Sequence, residues 1–234
     1  MRSPLPVAVA QPTCTPGELA HNALEHARLV REARARVVVF PELSLTGYEL
    51  DAPPVSLSDE SLGVVVLACR ETNSIAFVGA PVADVGGSVS IAVLRVGGQG
   101  VEVVYRKSYL GADEVARFSP GRGPVALDID GWRVGLGVCK DTGVDQHVLD
   151  VADLGVDLYL AGLVHHREEL LEQELRAVDI ARTCVAYVGF ASFAGATGGG
   201  FDQTAGMSSI WDPQGTPLIR AGSLPGEVVR AILV

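Results

Sequence analysis

Val37-Val-Val-Phe-Pro-Glu42 is a short β-branched run that ends at a proline and delivers a carboxylate. The pattern recurs twice: Val101-Glu-Val-Val-Tyr-Arg106 delivers Lys107, and Trp132-Arg-Val-Gly-Leu-Gly-Val138 delivers Cys139. Runs of this length and composition read as strands. In open α/β sheets, ligands bind just outside the carboxyl ends of strands. Three strand ends therefore supply a carboxylate, an ammonium and a thiol, the parts needed for nucleophilic attack on a carbonyl or nitrile carbon.

Around these three runs, helices and strands alternate. Val7–Ala10 reads as the first strand. Thr15-Pro-Gly-Glu18 supplies an N-cap, a proline at the first helical position and a capping-box glutamate. The helix it opens has Leu19, Ala23, Ala27 and Val30 on one face. A second helix over Ser58–Glu71 leads into strand Ile75–Ala80, stopped by Pro81. Ser88–Val96 and Val101–Arg106 flank Gly97-Gly-Gln-Gly100, and Ala126–Ile129 and Trp132–Val138 flank Asp130-Gly131; both pairs read as hairpins. A helix near 144–154, strand Val156–Ala161, a helix over 167–182 and strand Val185–Ser192 follow. Strands over 206–211, 216–220 and 227–233 close the chain. Alternation with antiparallel excursions predicts a layered α/β domain with mixed sheets. With no linker and no low-complexity tract, residues 1–234 read as one domain.

Composition narrows the function classes. Hydrophobic residues make up 48% and charged residues 20%, which excludes a disordered chain. The formal charge is −10 with acids and bases interleaved, so the basic stripe that phosphate binding requires is missing and a nucleic-acid partner is disfavoured. No apolar run approaches the length of a membrane span. Arg2 and Ala8-Val-Ala10 imitate a signal peptide, but the apolar stretch between them is short and carries Pro4 and Pro6. The expectation is a cytoplasmic protein with reduced thiols, since the four cysteines show no paired or metal-type spacing.

The ordered blocks resemble the nitrilase, or carbon–nitrogen hydrolase, superfamily. Val38–Tyr48 resembles its glutamate block. Tyr105–Leu110 resembles its lysine block, and the segment from Glu114 through Phe118 to Gly121 its second-glutamate block. Gly137-Val-Cys-Lys-Asp141 stands where the family keeps its nucleophile, and Phe201–Gly215 resembles its late strand and turn. The resemblance spans almost the whole chain in the family's order. It implies a four-layer αββα sandwich with two mixed β-sheets, no metal or organic cofactor, and a homodimer or larger assembly.

It also implies roles: Glu42 as general base, Lys107 as oxyanion-stabilising cation, Cys139 as nucleophile, and Glu114 orienting the lysine near the substrate. Tyr48, at the end of the glutamate block, joins the substrate-binding candidates. Read singly, Cys139 would be a small buried hydrophobe, Glu42 a solvated turn residue, and Lys107 a surface charge; the constellation raises all three. Lys140 departs from the aromatic or arginine common at that position and would add a second positive charge beside the thiol. Ile180-Ala-Arg-Thr-Cys184 departs from the Arg-Ala-x-Glu-Asn signature. His165-His166 reads as a solvated helix start, with a contact at the pocket rim as the alternative. Asp141 reads as a cap for the following turn, Gly198-Gly-Gly200 as a flexible loop, and Cys14, Cys69 and Cys184 as packing residues. The expected activity is hydrolysis of a small linear amide or N-carbamoyl compound through a thioester, with nitrile hydrolysis and a catalytically silent binding protein as alternatives.

Overall fold

A computed structural model describes residues 2–234. The first half runs β1 (Leu5–Gln11), α1 (Leu19–Ala33), β2 (Val37–Val39), α2 (Gly63–Thr72), β3 (Ile75–Ala83), β4 (Val89–Gly97) and β5 (Gly100–Arg106). The second runs β6 (Ala126–Ile129), β7 (Trp132–Val138), α3 (Asp145–Asp153), β8 (Leu158–Leu163), α4 (Leu170–Cys184) and β9 (Tyr187–Ser192). A two-residue pair, β10 (Ala194–Gly195) and β11 (Thr204–Ala205), precedes β12 (Ser209–Trp211), β13 (Pro217–Arg220) and β14 (Glu227–Leu233).

Two six-stranded mixed sheets result, in the orders β14-β1-β2-β3-β4-β5 and β13-β12-β9-β8-β7-β6. Each has three central parallel strands, β1–β2–β3 and β7–β8–β9, flanked by antiparallel neighbours. Strand alternation then sorts side chains into layers. Val37 and Val39 face the other sheet, with Trp132, Val134, Leu136 and Leu160 across the gap. Val38 faces the opposite way, onto Ala27 and Val30 of α1 and Val65 of α2. The second sheet packs Tyr159, Val188 and Phe190 against α3 and α4 through Val151, Ala177 and Ile180. The central strands are covered on both faces, which explains their unbroken apolar runs. Each buried valine contributes about 1.5–3 kcal/mol relative to exposure. The order of layers is helix, sheet, sheet, helix, as the resemblance implied.

Several local expectations need correction. The first helix starts at Leu19, and Glu18 makes no side-chain cap. Gly17 has φ +77°, so Thr15–Gly17 forms a turn instead, with the Thr15 N–H and C=O both bound by the Asn22 side chain at 2.8 and 2.9 Å. The second helix is preceded by a 3₁₀ turn, Glu60–Leu62, capped by Asp59.

Pro81 does not stop β3, which runs on to Ala83. Its neighbours Phe77 and Gly79 turn their carbonyls away from β4, and the Pro81 carbonyl itself accepts from Val55 at 2.8 Å. The missing N–H therefore lies on the side where β2 has already ended, where proline is tolerated. Val185 has φ +50° and closes α4, which delays β9 to Tyr187. Gly206 and Met207 are also left-handed, which delays β12 to Ser209. All four cysteines are free thiols.

Candidate active site

The carboxylate arrives on a tightly gripped elbow. Beyond β2 the chain turns at Pro41, and Leu43 and Tyr48 adopt left-handed φ values of 49° and 55°. Two glycines, one from each sheet, make room for it. A Cβ on Gly79 of β3 would lie 2.3 Å from Leu43 N, and one on Gly162 of β8 would lie 2.6 Å from Phe40 O. Polar side chains of α1 support the elbow from below. Asn22 Nδ2 donates to Leu45 O at 3.0 Å, and His26 meets Ser44 Oγ through Nε2 at 2.8 Å. His26 Nδ1 sits 2.6 Å from the Asn22 carbonyl, which can only accept, so Nδ1 carries the proton and Nε2 accepts from Ser44. Burial lowers this imidazole to about 4, so it is neutral.

Lys107 follows β5, and its N–H donates to Ile91 O at 2.8 Å. The ammonium is 1% exposed and donates to Glu42 Oε1 at 2.6 Å and Glu114 Oε1 at 2.7 Å. Burial alone would lower its pKa, but Glu42, the Cys139 sulfur and Glu114 together raise it, so it stays charged. Glu114 is fixed in turn by the Tyr48 hydroxyl at 3.0 Å and the Gly111 N–H at 2.6 Å. Glu42 Oε2 has no partner and no solvent contact. Burial raises the Glu42 carboxyl well above the usual range, against the pull of Lys107. The site thus holds one cation between two carboxylates, with one oxygen unused.

Cys139 ends β7 with φ +38° and opens a 3₁₀ turn over Cys139–Gly143. The residue is half-buried, and its thiol donates to Val164 O at 3.2 Å. The sulfur lies within charge–charge range of Glu42, Lys107 and Glu114. Burial raises the thiol pKa, with Lys107 and then Arg176 opposing. Burial thus makes both the Cys139 thiol and the Glu42 carboxyl hold a proton more tightly than usual, and one Glu42 oxygen is left unpaired.

Glu42, Lys107, Glu114 and Tyr48 therefore form one bonded cluster, with Cys139 at its edge. Lys140 does not join it: the side chain is exposed and its Nζ donates to Leu110 O at 2.6 Å. His165 is not a solvated helix start. It is 5% exposed, with Nδ1 3.2 Å from Gln173 Oε1 and Nε2 3.2 Å from Arg176 Nη1. Asp141 is not simply a cap of its own turn. It reaches back to the Val138 N–H at 3.0 Å and across to the Ser108 and Tyr109 N–H groups at 3.2 and 2.8 Å, and it accepts from the Tyr105 hydroxyl at 2.8 Å. Within Gly198-Gly-Gly200, Gly198 is buried and its N–H donates to Gly47 O at 2.8 Å, whereas Gly199 and Gly200 are exposed. Arg176, Gln173 and Thr142 escaped the sequence reading. The one local signal was Gly143, whose Cβ would sit 2.6 Å from the Arg176 guanidinium carbon. Among the described residues, no group of three His, Cys, Asp or Glu side chains is arranged to hold a metal ion. No helix among them is long and apolar enough to cross a membrane.

The sequence model for carbon-nitrogen hydrolases matches residues 6–232. The chain belongs to this family. Among curated relatives of this carbon–nitrogen hydrolase, a Pseudomonas protegens protein described as a hydrolase in the pqqF 5′ region is 27% identical over 230 residues, covering 92% of this chain and 78% of that one. A glutamine-dependent NAD(+) synthetase of Xylella fastidiosa is 30% identical over 208 residues, covering 79% of this chain but 38% of the synthetase. The chain thus spans well under half of such synthetases. An amidase of Nesterenkonia AN1, from the nitrilase superfamily, superposes with a TM-score of 0.83 at 23% identity, covering 100% of this chain and 92% of the amidase. The two sandwiches share the nitrilase fold.

Proposed function

We propose that this carbon–nitrogen hydrolase cleaves a small linear amide or N-carbamoyl compound with Cys139 as nucleophile, Glu42 as general base and Lys107 as the cation facing the developing oxyanion. The observation that carries the reading is the unpartnered Glu42 Oε2, buried beside a thiol and a paired ammonium. Burial raises the affinity of this carboxylate for a proton, which suits a group that must take one from the thiol. Glu42 Oε2 takes the thiol proton as sulfur bonds to the carbonyl carbon, and the carbonyl π pair moves onto oxygen. Lys107 stabilises that oxyanion, a contribution typically of about 3–4 kcal/mol per preorganised donor. Collapse breaks the C–N bond, Glu42 returns the proton to nitrogen, and ammonia leaves a thioester. Water, deprotonated by Glu42, then attacks the thioester; the acid departs and the thiol is restored.

The solved Nesterenkonia amidase complex contains butyramide, and the Xylella synthetase is glutamine-dependent, which makes both compounds natural first substrates to try. Nitrile hydrolysis calls on the same groups. The test is ammonia release from short amides, glutamine, ureido acids and nitriles, with Cys139→Ala as control, together with mass spectrometry of the quenched enzyme. An acyl mass increment on Cys139 and ammonia release lost in the control are expected. Turnover that survives Cys139→Ala would refute the assignment, and no turnover with any class would favour a silent binding protein. In the same reading residues 1–234 form one cytoplasmic domain that pairs with a second copy; exposed Leu149 on α3 and Leu171 and Leu175 on α4 support a helix-to-helix contact.

A further inference from the structure

The loop between β10 and β11 links two pieces of chain that flank the thiol. At one end Thr197 Oγ1 and the Gly198 N–H both donate to Gly47 O, at 2.7 and 2.8 Å, fixing the loop to the elbow that carries Glu42. At the other end, the Arg167 N–H donates to Gln203 O at 3.1 Å and the Ala205 N–H to His165 O at 3.0 Å. The loop lies flat because its glycines permit it. A Cβ on Gly198 would be 2.8 Å from Gly47 O, and one on Gly199 would be 2.8 Å from the Tyr48 ring.

Between these anchors stands Phe201, half-buried and with no polar task. Its ring meets Tyr48 edge-on at 5.1 Å and 85°, and stacks on His166 at 4.2 Å and 18°. Tyr48 holds Glu114, and through it Lys107. His166 stands two residues past Val164, whose carbonyl takes the Cys139 thiol. One ring therefore links the tyrosine that holds Glu114 to the segment just past Val164, and it packs against the same core cluster as Cys139 and Leu110.

We infer that Phe201 is the wall that sets acyl size at Cys139, so that the site takes short, unbranched, uncharged acyl groups and refuses long or aromatic ones. The inference rests on the proposed thiol chemistry for its substrate meaning. Its geometric part, that the ring restricts access to the sulfur, can be tested without any hydrolysis. An apolar ring offers no partner for a charged tail, and burying an unpaired charge against it is costly. A ring held on two faces by other rings also has little freedom to swing aside.

The experiment compares wild type, Phe201→Ala and Phe201→Leu in modification of Cys139 by iodoacetamide and by the bulkier N-phenylmaleimide, followed by peptide mass mapping. In wild type the small reagent is favoured. Phe201→Ala raises the bulky reagent's rate relative to iodoacetamide by about tenfold or more, in line with the worth of a few methylenes in a pocket; Phe201→Leu gives an intermediate ratio and covers a poorly folded alanine variant. An unchanged ratio in both variants overturns the inference. Butyramide, hexanamide and benzamide are then assayed for ammonia release. Altered alkylation without turnover sinks the hydrolase reading and leaves the wall standing, whereas turnover with unchanged chain-length preference removes the wall and leaves the hydrolase.

Discussion

Asp141→Asn separates the support of the site from its chemistry. The Asp141 carboxylate is fully buried and accepts four hydrogen bonds, two per oxygen. An asparagine keeps the shape but has one acceptor oxygen. If that oxygen serves the Ser108 and Tyr109 N–H groups, the new NH₂ faces the Val138 N–H and the Tyr105 hydroxyl. Tyr105 can rotate its proton, since it also neighbours Ser108 Oγ and His147 Nε2 at 3.0 Å each. The Val138 N–H cannot, and it is left buried and unpaired. An orphaned donor costs about 1–3 kcal/mol, and losing a charge-assisted bond adds a similar amount, so a destabilisation of about 3–4 kcal/mol is expected. For a chain of this size that lowers Tm by about 6–16 °C. Calorimetry at pH 7 measures it, with exposed Asp128→Asn as a control expected to stay within about 0.5 kcal/mol. Because the same carboxylate ties the residues after Lys107 to the strand end before Cys139, the rate of Cys139 alkylation falls as well. A variant melting within about 2 °C of wild type would refute the four-donor account.

Lys107→Met leaves Glu42 and Glu114 buried without a cation, and removing one partner of a buried pair costs about 3–5 kcal/mol. The Glu42 carboxyl, already raised by burial, loses the cation that opposed the rise and binds its proton more tightly folded than unfolded, so urea melts should show the variant more stable at pH 5 than at pH 7.5; the opposite slope would contradict the paired cluster. His26, lowered from 6.5 to about 4, binds a proton more readily unfolded than folded. Its contribution is intact above pH 6.5 and is lost as pH falls toward 4, about 3 kcal/mol in all at about 1.4 kcal/mol per pH unit. The pH slope of unfolding free energy across that window should flatten in His26→Gln.

The strand ends carrying Glu42 and Cys139 were legible because both-face burial forces continuous apolar runs, as Val37–Val39 and Trp132–Val138 show plainly. The Lys107 strand, β5, is a half-buried edge strand and was legible from its β-branched residues and the glycine loop before it. Helix starts were less legible: Thr15-Pro-Gly-Glu18 has the letters of a cap, but Gly17 adopts a left-handed turn held by Asn22 on Thr15 and by Thr46 O on the Gly17 N–H. Pro81 misled because proline's tolerance depends on which neighbour strand is present, a property of the sheet and not of the segment. Gln173 and Arg176 stand three residues apart on α4 while His165 follows β8, and nothing in either segment marks their meeting; Lys140 stood beside the thiol in sequence but faces outward. Asp141 was seen as polar and near the nucleophile, yet three of its four partners lie more than thirty residues away.

The elbow bearing Glu42 is clasped by Gly79 from one sheet and Gly162 from the other, with no slack on either side. Its location is thus referenced to two independent surfaces at once, as a part is held between the jaws of a vise. Any change that respaces those jaws, such as a bulkier residue at Leu136 or Leu160, which line the same small cavity as Glu42, Gly79 and Gly162, should be felt at the carboxylate. The interior of the sandwich therefore works as a tuning screw for the reaction centre, and directed evolution of new substrate ranges should find productive positions there as well as at the pocket mouth.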